Sequence, residues 1–122
     1  MNLFELAAQQ RTWLGLRQAT VAQNIANANT PGYKARAVAD FDKTLTSMEV
    51  APAATHPAHF ALAGGQIASA AETAEPTAAT HSGNSVDLEN ELLTAGETNR
   101  SYALNVSVVK TFRRMMMAGL RS

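Results

Sequence analysis

Three histidines, two neighbouring aspartates, a glycine pair and one basic, methionine-rich run are the residues here whose types and spacing suggest chemistry. His56-Pro57-Ala58-His59 has a spacing that could bring two imidazoles to a metal, with His81 farther along. The pair lies in a loop without a nearby carboxylate partner, so solvated loop histidines are the better reading and no metal is assigned. Asp40 and Asp42 alternate as two carboxylates on one strand face would. Without a nucleophile or an oxyanion-stabilising element beside them they read as surface acids. Gly64-Gly65 is not a phosphate loop, because no Gly-Lys-Ser/Thr follows it. The stretch Lys110-Thr111-Phe112-Arg113-Arg114-Met115-Met116-Met117 suits an anionic membrane surface or a partner's groove. The favoured reading is plainer: the cationic end of a helix whose methionines pack against neighbours, other subunits included. No active site assembles from these pieces. The chain reads as a non-enzyme with no cofactor and no small-molecule substrate.

Composition narrows the choice. The 122 residues carry ten Lys+Arg against ten Asp+Glu, and no cysteine. One ordinary domain is the most this length allows. Zero formal charge argues against a general nucleic-acid binder. The lack of Cys removes disulfides, thiolate metal sites and thiol catalysis. Hydrophobic residues make up 46%, but 24 of the 122 are alanine and aromatics are only 6%, so large core side chains are scarce. No run of about 18 apolar residues exists to span a membrane. The start has Glu5 ahead of its first base, Arg11, and no compact apolar stretch. A cleavable secretory signal is therefore not expected.

The elements that must position these residues fall into three segments: 1–32, 33–84 and 85–122. Residues 3–29 hold no proline and one glycine, Gly15, and are rich in Ala, Leu and Gln. Ala7, Leu14, Val21 and Ala28 recur at seven, with Ile25 beside them, which predicts an amphipathic helix with a narrow, small-residue stripe. It must end at Thr30-Pro31-Gly32, where proline disfavours the helical conformation of the residue before it. In the middle segment, Val38–Met48 reads as a short helix or strand. Phe60, Leu62 and Ile67 suggest one short strand pair around Gly64-Gly65. The rest is a loop-rich insert with too little apolar pattern for a core. Just before the last segment Asn84 is a candidate helix cap, with Asp87 three residues on. Leu88, Leu92, Ala95, Asn99, Tyr102, Val106, Val109, Arg113, Met116 and Leu120 then follow at steps of four and three, the pattern of a coiled-coil seam. Acids early and bases late suit the helix dipole.

The expected fold is therefore mainly α: two long terminal helices paired as a coiled-coil-like hairpin, about 40 and 50 Å long, around a loop-rich insert with a short β-hairpin. A single seam of this kind hides little apolar surface. Leu93, Leu104, Val108 and Met115 form a second stripe on the last helix, and Trp13 with Leu16 does the same on the first. Helices apolar on more than one side belong in bundles or assemblies.

The stretch Asn24-Ile25-Ala26-Asn27-Ala28-Asn29-Thr30-Pro31-Gly32-Tyr33-Lys34 resembles the signature that ends the first helix of bacterial flagellar axial proteins. Asn84 to Glu91, followed by Asn99-Arg100-Ser101-Tyr102, resembles the last helix of the small rod subunits among them. Together the two regions span about 70 residues in the right order. Because Asn29 to Tyr33 runs without an insertion, and Thr55-His56-Pro57-Ala58-His59-Phe60 matches, the resemblance favours one small proximal-rod type. Ser101 to Val106 is closer to the sister type, rod protein C. What the resemblance implies is a structural subunit of the flagellar basal-body rod, exported by the flagellar export apparatus without signal cleavage. It would sit on the periplasmic side of the inner membrane. Its partners would be copies of itself, other rod subunits, and the membrane-ring and ring–rod junction proteins. Asn24, Asn27 and Thr30 would fix the helix end, with Pro31-Gly32 setting the chain's exit. Leu14, Val21 and the last helix's stripe would form the assembly seam that transmits torque. The alternative from another class is a peripheral-membrane or adaptor helical module.

Overall fold

The computed structural model describes residues 2–49, 71–73 and 82–121. Its frame is two helices, α1 (Leu3–Ala26) and α3 (Leu88–Leu120). Between them lie a strand β1 (Arg36–Val38), a short helix α2 (Phe41–Glu49) and a strand β2 (Ala71–Thr73). A capping box starts α1: the Asn2 side chain accepts from the Glu5 backbone N–H at 2.9 Å, and Asn2 N–H donates back to the Glu5 carboxylate at 3.2 Å. Asp87 caps α3, accepting from Asn90 N–H at 3.3 Å. Asn84, the cap expected from the sequence, is used elsewhere.

The two long helices run antiparallel. Phe4 meets Phe112 edge to face with centroids 5.5 Å apart. Asn105 Nδ2 donates to Ala7 O and Gln10 Oε1. Arg17 pairs with Glu97 at 3.7 Å, and Asn24 meets Glu91 at the far end. Because α3 is nine residues longer, its last two turns run on past the start of α1, and residues 113–120 are all exposed.

The face that α3 turns to α1 is not its apolar stripe. Buried there are Glu91, Thr98 and Asn105, seven residues apart. Opposite them α1 buries Ala7, Leu14, Val21 and Asn24. Of the expected α3 seam, Ala95, Val106 and Val109 are half-buried, and Asn99 and Arg113 are exposed. Leu88, Leu92, Tyr102, Met116 and Leu120 remain 47 to 80% exposed. On the α3 side the pairing is therefore made largely by small and polar side chains facing Leu14 and Val21 of α1, and the larger apolar residues of α3 flank it.

The second apolar side of α1 expected at Trp13 and Leu16 is covered by the chain's own middle segment. Trp13 is buried with Leu14 against Leu16, Val38 and Phe41. Its indole N–H donates to Ala39 O at 2.8 Å, so the start of the middle segment packs on α1. The Arg17 guanidinium lies 5.3 Å from the same ring. Strands β1 and β2 pair antiparallel, with Arg36 opposite Thr73 and Val38 opposite Ala71. The strand pair expected around Phe60, Leu62 and Ile67 lies outside the described residues, as do His56, His59 and His81.

Candidate functional site

The end of α1 is where the sequence signal is densest, and there the chain ties its two halves together. Asn24 is fully buried. Its Oδ1 accepts from Arg36 N–H at 3.0 Å, and its Nδ2 donates to Arg36 O at 2.7 Å and to Glu91 Oε1 at 2.9 Å. The amide thus pairs with the Arg36 backbone as a neighbouring strand would, and holds α3 as well. Tyr33 O–H reaches the same Oδ1 at 3.5 Å.

Asn27 is the C-cap. Its backbone N–H donates to Gln23 O and Asn24 O, its Nδ2 to Gln23 O at 2.8 Å, and its Oδ1 accepts from Thr30 Oγ1 at 3.1 Å. A helix end leaves carbonyls without partners. Here the turn supplies Thr30 N–H to Asn27 O and Tyr33 N–H to Thr30 O, and Asn84 adds a second donor to each: its Nδ2 donates to Asn27 O at 2.8 Å and Thr30 O at 2.7 Å, while its Oδ1 accepts from Val86 N–H. Asn84 is 2% exposed. It seals the first helix instead of starting the last.

Two glycines allow the segments to approach. Gly32 and Gly83 have φ of 73° and 75°, a region that L side chains avoid. Gly32 N–H donates to Ser82 O at 2.9 Å and Ser85 N–H to Tyr33 O at 3.0 Å, with Ala35 N–H on Ser85 Oγ at 2.8 Å. Of the other signature residues, Ile25 and Ala28 are half-buried; Ala26, Thr30 and Pro31 are exposed. Glu91 completes the clasp. Burial raises its carboxyl pKa above the ordinary value, the Asn24 hydrogen bond opposes the rise, and Asp87 adds to it.

The sequence profile of flagella basal body rod proteins matches residues 6–34, which take in most of α1 and this turn. The flagellar basal body rod protein FlgB of Agrobacterium fabrum (strain C58 / ATCC 33970) is 43% identical over 126 residues, covering 96% of this chain and 91% of the relative. This chain belongs to the flagellar basal body rod proteins. It is a structural subunit of the proximal rod, FlgB-like, that assembles with other rod subunits in the basal body.

Within the clasp the donors and acceptors satisfy one another and tie the end of α1 to β1 and to the start of α3. Asn84, Ser85, Glu91 and the Arg36 backbone belong to it although their roles do not follow from the motif. One signal does point to Glu91. It opens a polar series with Thr98 and Asn105 at a spacing of seven, between the helix's two apolar stripes. Among the described residues no three His, Cys, Asp or Glu gather as metal ligands, and no helix is long and apolar enough to cross a membrane.

Proposed function

We propose that this rod subunit polymerises through the apolar residues its own helix pair leaves uncovered, and that torque passes along the rod through those contacts. The observation that carries the reading is the exposed row Leu88, Leu92, Tyr102, Met116 and Leu120 on α3. Monomeric proteins rarely leave so continuous an apolar surface in water. Leu14 and Val21, with Ala95, Val106 and Val109, hold the pair together, and Asn99 sits on the open side with Tyr102. Asn24, Ile25, Ala26, Asn27, Ala28, Thr30, Pro31, Gly32 and Tyr33 set the helix end and its exit. Segments 1–32 and 85–122 act as one discontinuous unit, with 33–84 as an insert between them. The subunit works on the periplasmic side of the inner membrane, reaches it through the flagellar export apparatus without signal cleavage, and contacts the membrane-ring and ring–rod junction proteins.

Replacing Tyr102 by Asp tests this. The side chain is half-exposed, so the helix pair is expected to fold and the protein to be exported. Rods are expected to be lost. Normal motility with Tyr102→Asp would sink the reading, and so would normal motility with Val106→Asp.

A further inference from the structure

We propose that the free subunit pairs with a second copy of this chain, α3 against α3 and antiparallel. The exposed row Leu88, Leu92, Tyr102, Met116 and Leu120 is then closed inside a four-helix bundle. The consequence rests on the assembly reading above: the dimer hides the row that the rod uses, so a subunit leaves the dimer to polymerise.

Side-chain chemistry and charge both point to the antiparallel direction. About a two-fold axis level with Leu104, Leu88 falls opposite Leu120 and Leu92 opposite Met116. Ala95 then meets Arg113, Asn99 meets Val109 and Tyr102 meets Val106. Arg113 is the one cation on this side of the seam, and the small Ala95 leaves it room. A parallel pair in register would instead set Arg113 against Arg113. Asp87, Glu89, Glu91 and Glu97 lie towards the start of α3, and Lys110, Arg113, Arg114 and Arg121 towards its end. Those four cations have no ion pair among the described residues. An antiparallel copy brings an acidic start to a basic end twice over, with the helix dipoles opposed.

The flank this needs is open. The middle segment occupies the other one, where Ala37 and Val38 of β1 lie with Arg17 and Thr20 of α1 and with Asn90 and Thr94 of α3. Farther along that same flank, Leu6 shares a groove with Leu104 and Val108. Two residues turn a helix through about 200°, so Leu92 and Tyr102 project away from the side of Thr94 and Leu104. Beside the row, α1 shows Ala8, Gly15 and Ala22, spaced seven apart and all exposed. Side chains that small let the first helices of the two copies lie near each other across the bundle. The contact uses one patch on both partners and closes at two copies, so by itself it builds no rod.

Sedimentation of the purified full-length chain at micromolar concentration tests this. Twice the chain's mass is expected, and a monomer throughout overturns the proposal. The chain has no cysteine of its own, so the register can be trapped. Asn99→Cys and Val109→Cys variants, mixed and oxidised, are expected to give a disulfide-linked dimer that neither gives alone. Linkage of either variant to itself marks a parallel pair and overturns the proposal. A doubled mass with no link from the mixture places the contact on another face and overturns it too. Ala95→Glu sets a carboxylate opposite Arg113 twice per dimer. It is expected to tighten the dimer about fivefold in low salt, and Ala95→Arg to loosen it by as much. Equal dissociation constants for these two and the natural chain overturn the proposal, and they decide alone if a cysteine variant loses its helical circular dichroism. A monomeric natural chain whose Tyr102→Asp variant builds no rods removes the dimer and leaves the assembly reading standing. A dimeric natural chain whose Tyr102→Asp variant swims normally does the reverse.

Discussion

Asn24 and Glu91 lie 67 residues apart and meet through a 2.9 Å hydrogen bond from Nδ2 to Oε1. The same Asn24 amide holds the Arg36 backbone on both its N–H and its C=O, so one buried side chain joins α1, β1 and α3. Removing it leaves a buried carboxylate without its amide donor and takes one hydrogen bond from each of the two Arg36 backbone groups. Asn24→Ala is therefore expected to cost about 3 kcal/mol in urea denaturation followed by helical circular dichroism. Asn24→Asp sets a second carboxylate against Glu91. It is expected to be worse than alanine at neutral pH and to recover in acid, where a proton can bridge the pair. A wild-type urea midpoint for both variants would remove the clasp from the account of stability.

Glu91 gives a pH dependence of definite sign. Burial lifts its carboxyl pKa in the folded chain. Between the ordinary carboxylate value and that raised value, the folded state holds the proton and the unfolded state has released it. Stability therefore falls as pH rises through this window. Glu91→Gln keeps an acceptor for Asn24 and has nothing to ionise. Its Tm advantage over the natural chain is expected to be smallest in acid, to grow as pH rises through the window, and to level off above it. A gap that stays constant across that titration would contradict the burial argument.

Glycine positions separate backbone strain from space. A Cβ on Gly32 would meet nothing within 4 Å, yet its φ is 73°. Gly32→Ala should cost about 1 kcal/mol through conformation alone. Gly15 sits exposed inside α1, with equally open space around it. There the same substitution should add about 0.5–1 kcal/mol, because alanine is the better helix former. Opposite shifts in the urea midpoint are the expected result; shifts of one sign would refute the assignment.

These residues also explain what the sequence could reveal. The turn after α1 is legible because proline, glycine and the asparagines each act locally, through fixed φ, positive φ and short side-chain hydrogen bonds. The long helices are legible from composition and periodicity. The pairing face of α3 is not. Leu88, Leu92, Tyr102 and Leu120 repeat as a seam would, but apolar periodicity records every surface that is ever hidden, not only those hidden within one chain. Glu91, Thr98 and Asn105 look like a solvated row until their partners on α1 are known. Asn84 misleads for a related reason: an asparagine before an acidic first turn is a cap by local rules, and only the returning chain brings Asn27 and Thr30 to it. The cover of Trp13 is not legible either, because the short stretch that supplies it, from Val38 in β1 through Ala39 to Phe41 at the start of α2, carries too few apolar residues to register as a core.

That small cluster can be followed by itself, since Trp13 is the chain's single tryptophan. Its ring is 8% exposed and lies 5.7 Å from the Phe41 ring, tilted by 51°. The contacts that tie α1 to α3, at Asn24, Asn105 and Phe4, do not involve Phe41. Phe41→Ala should therefore release the start of α2 from the indole at a cost of about 3 kcal/mol, while the helix pair stays formed. Tryptophan emission should move to the red and acrylamide quenching should rise, with helical circular dichroism reduced only by the share of α2. Unchanged emission would place the cover of Trp13 elsewhere. Collapse of the whole helical signal would instead mean that the middle segment and the terminal pair unfold as one cooperative unit, and that the insert contributes to the stability of the rod's helical frame.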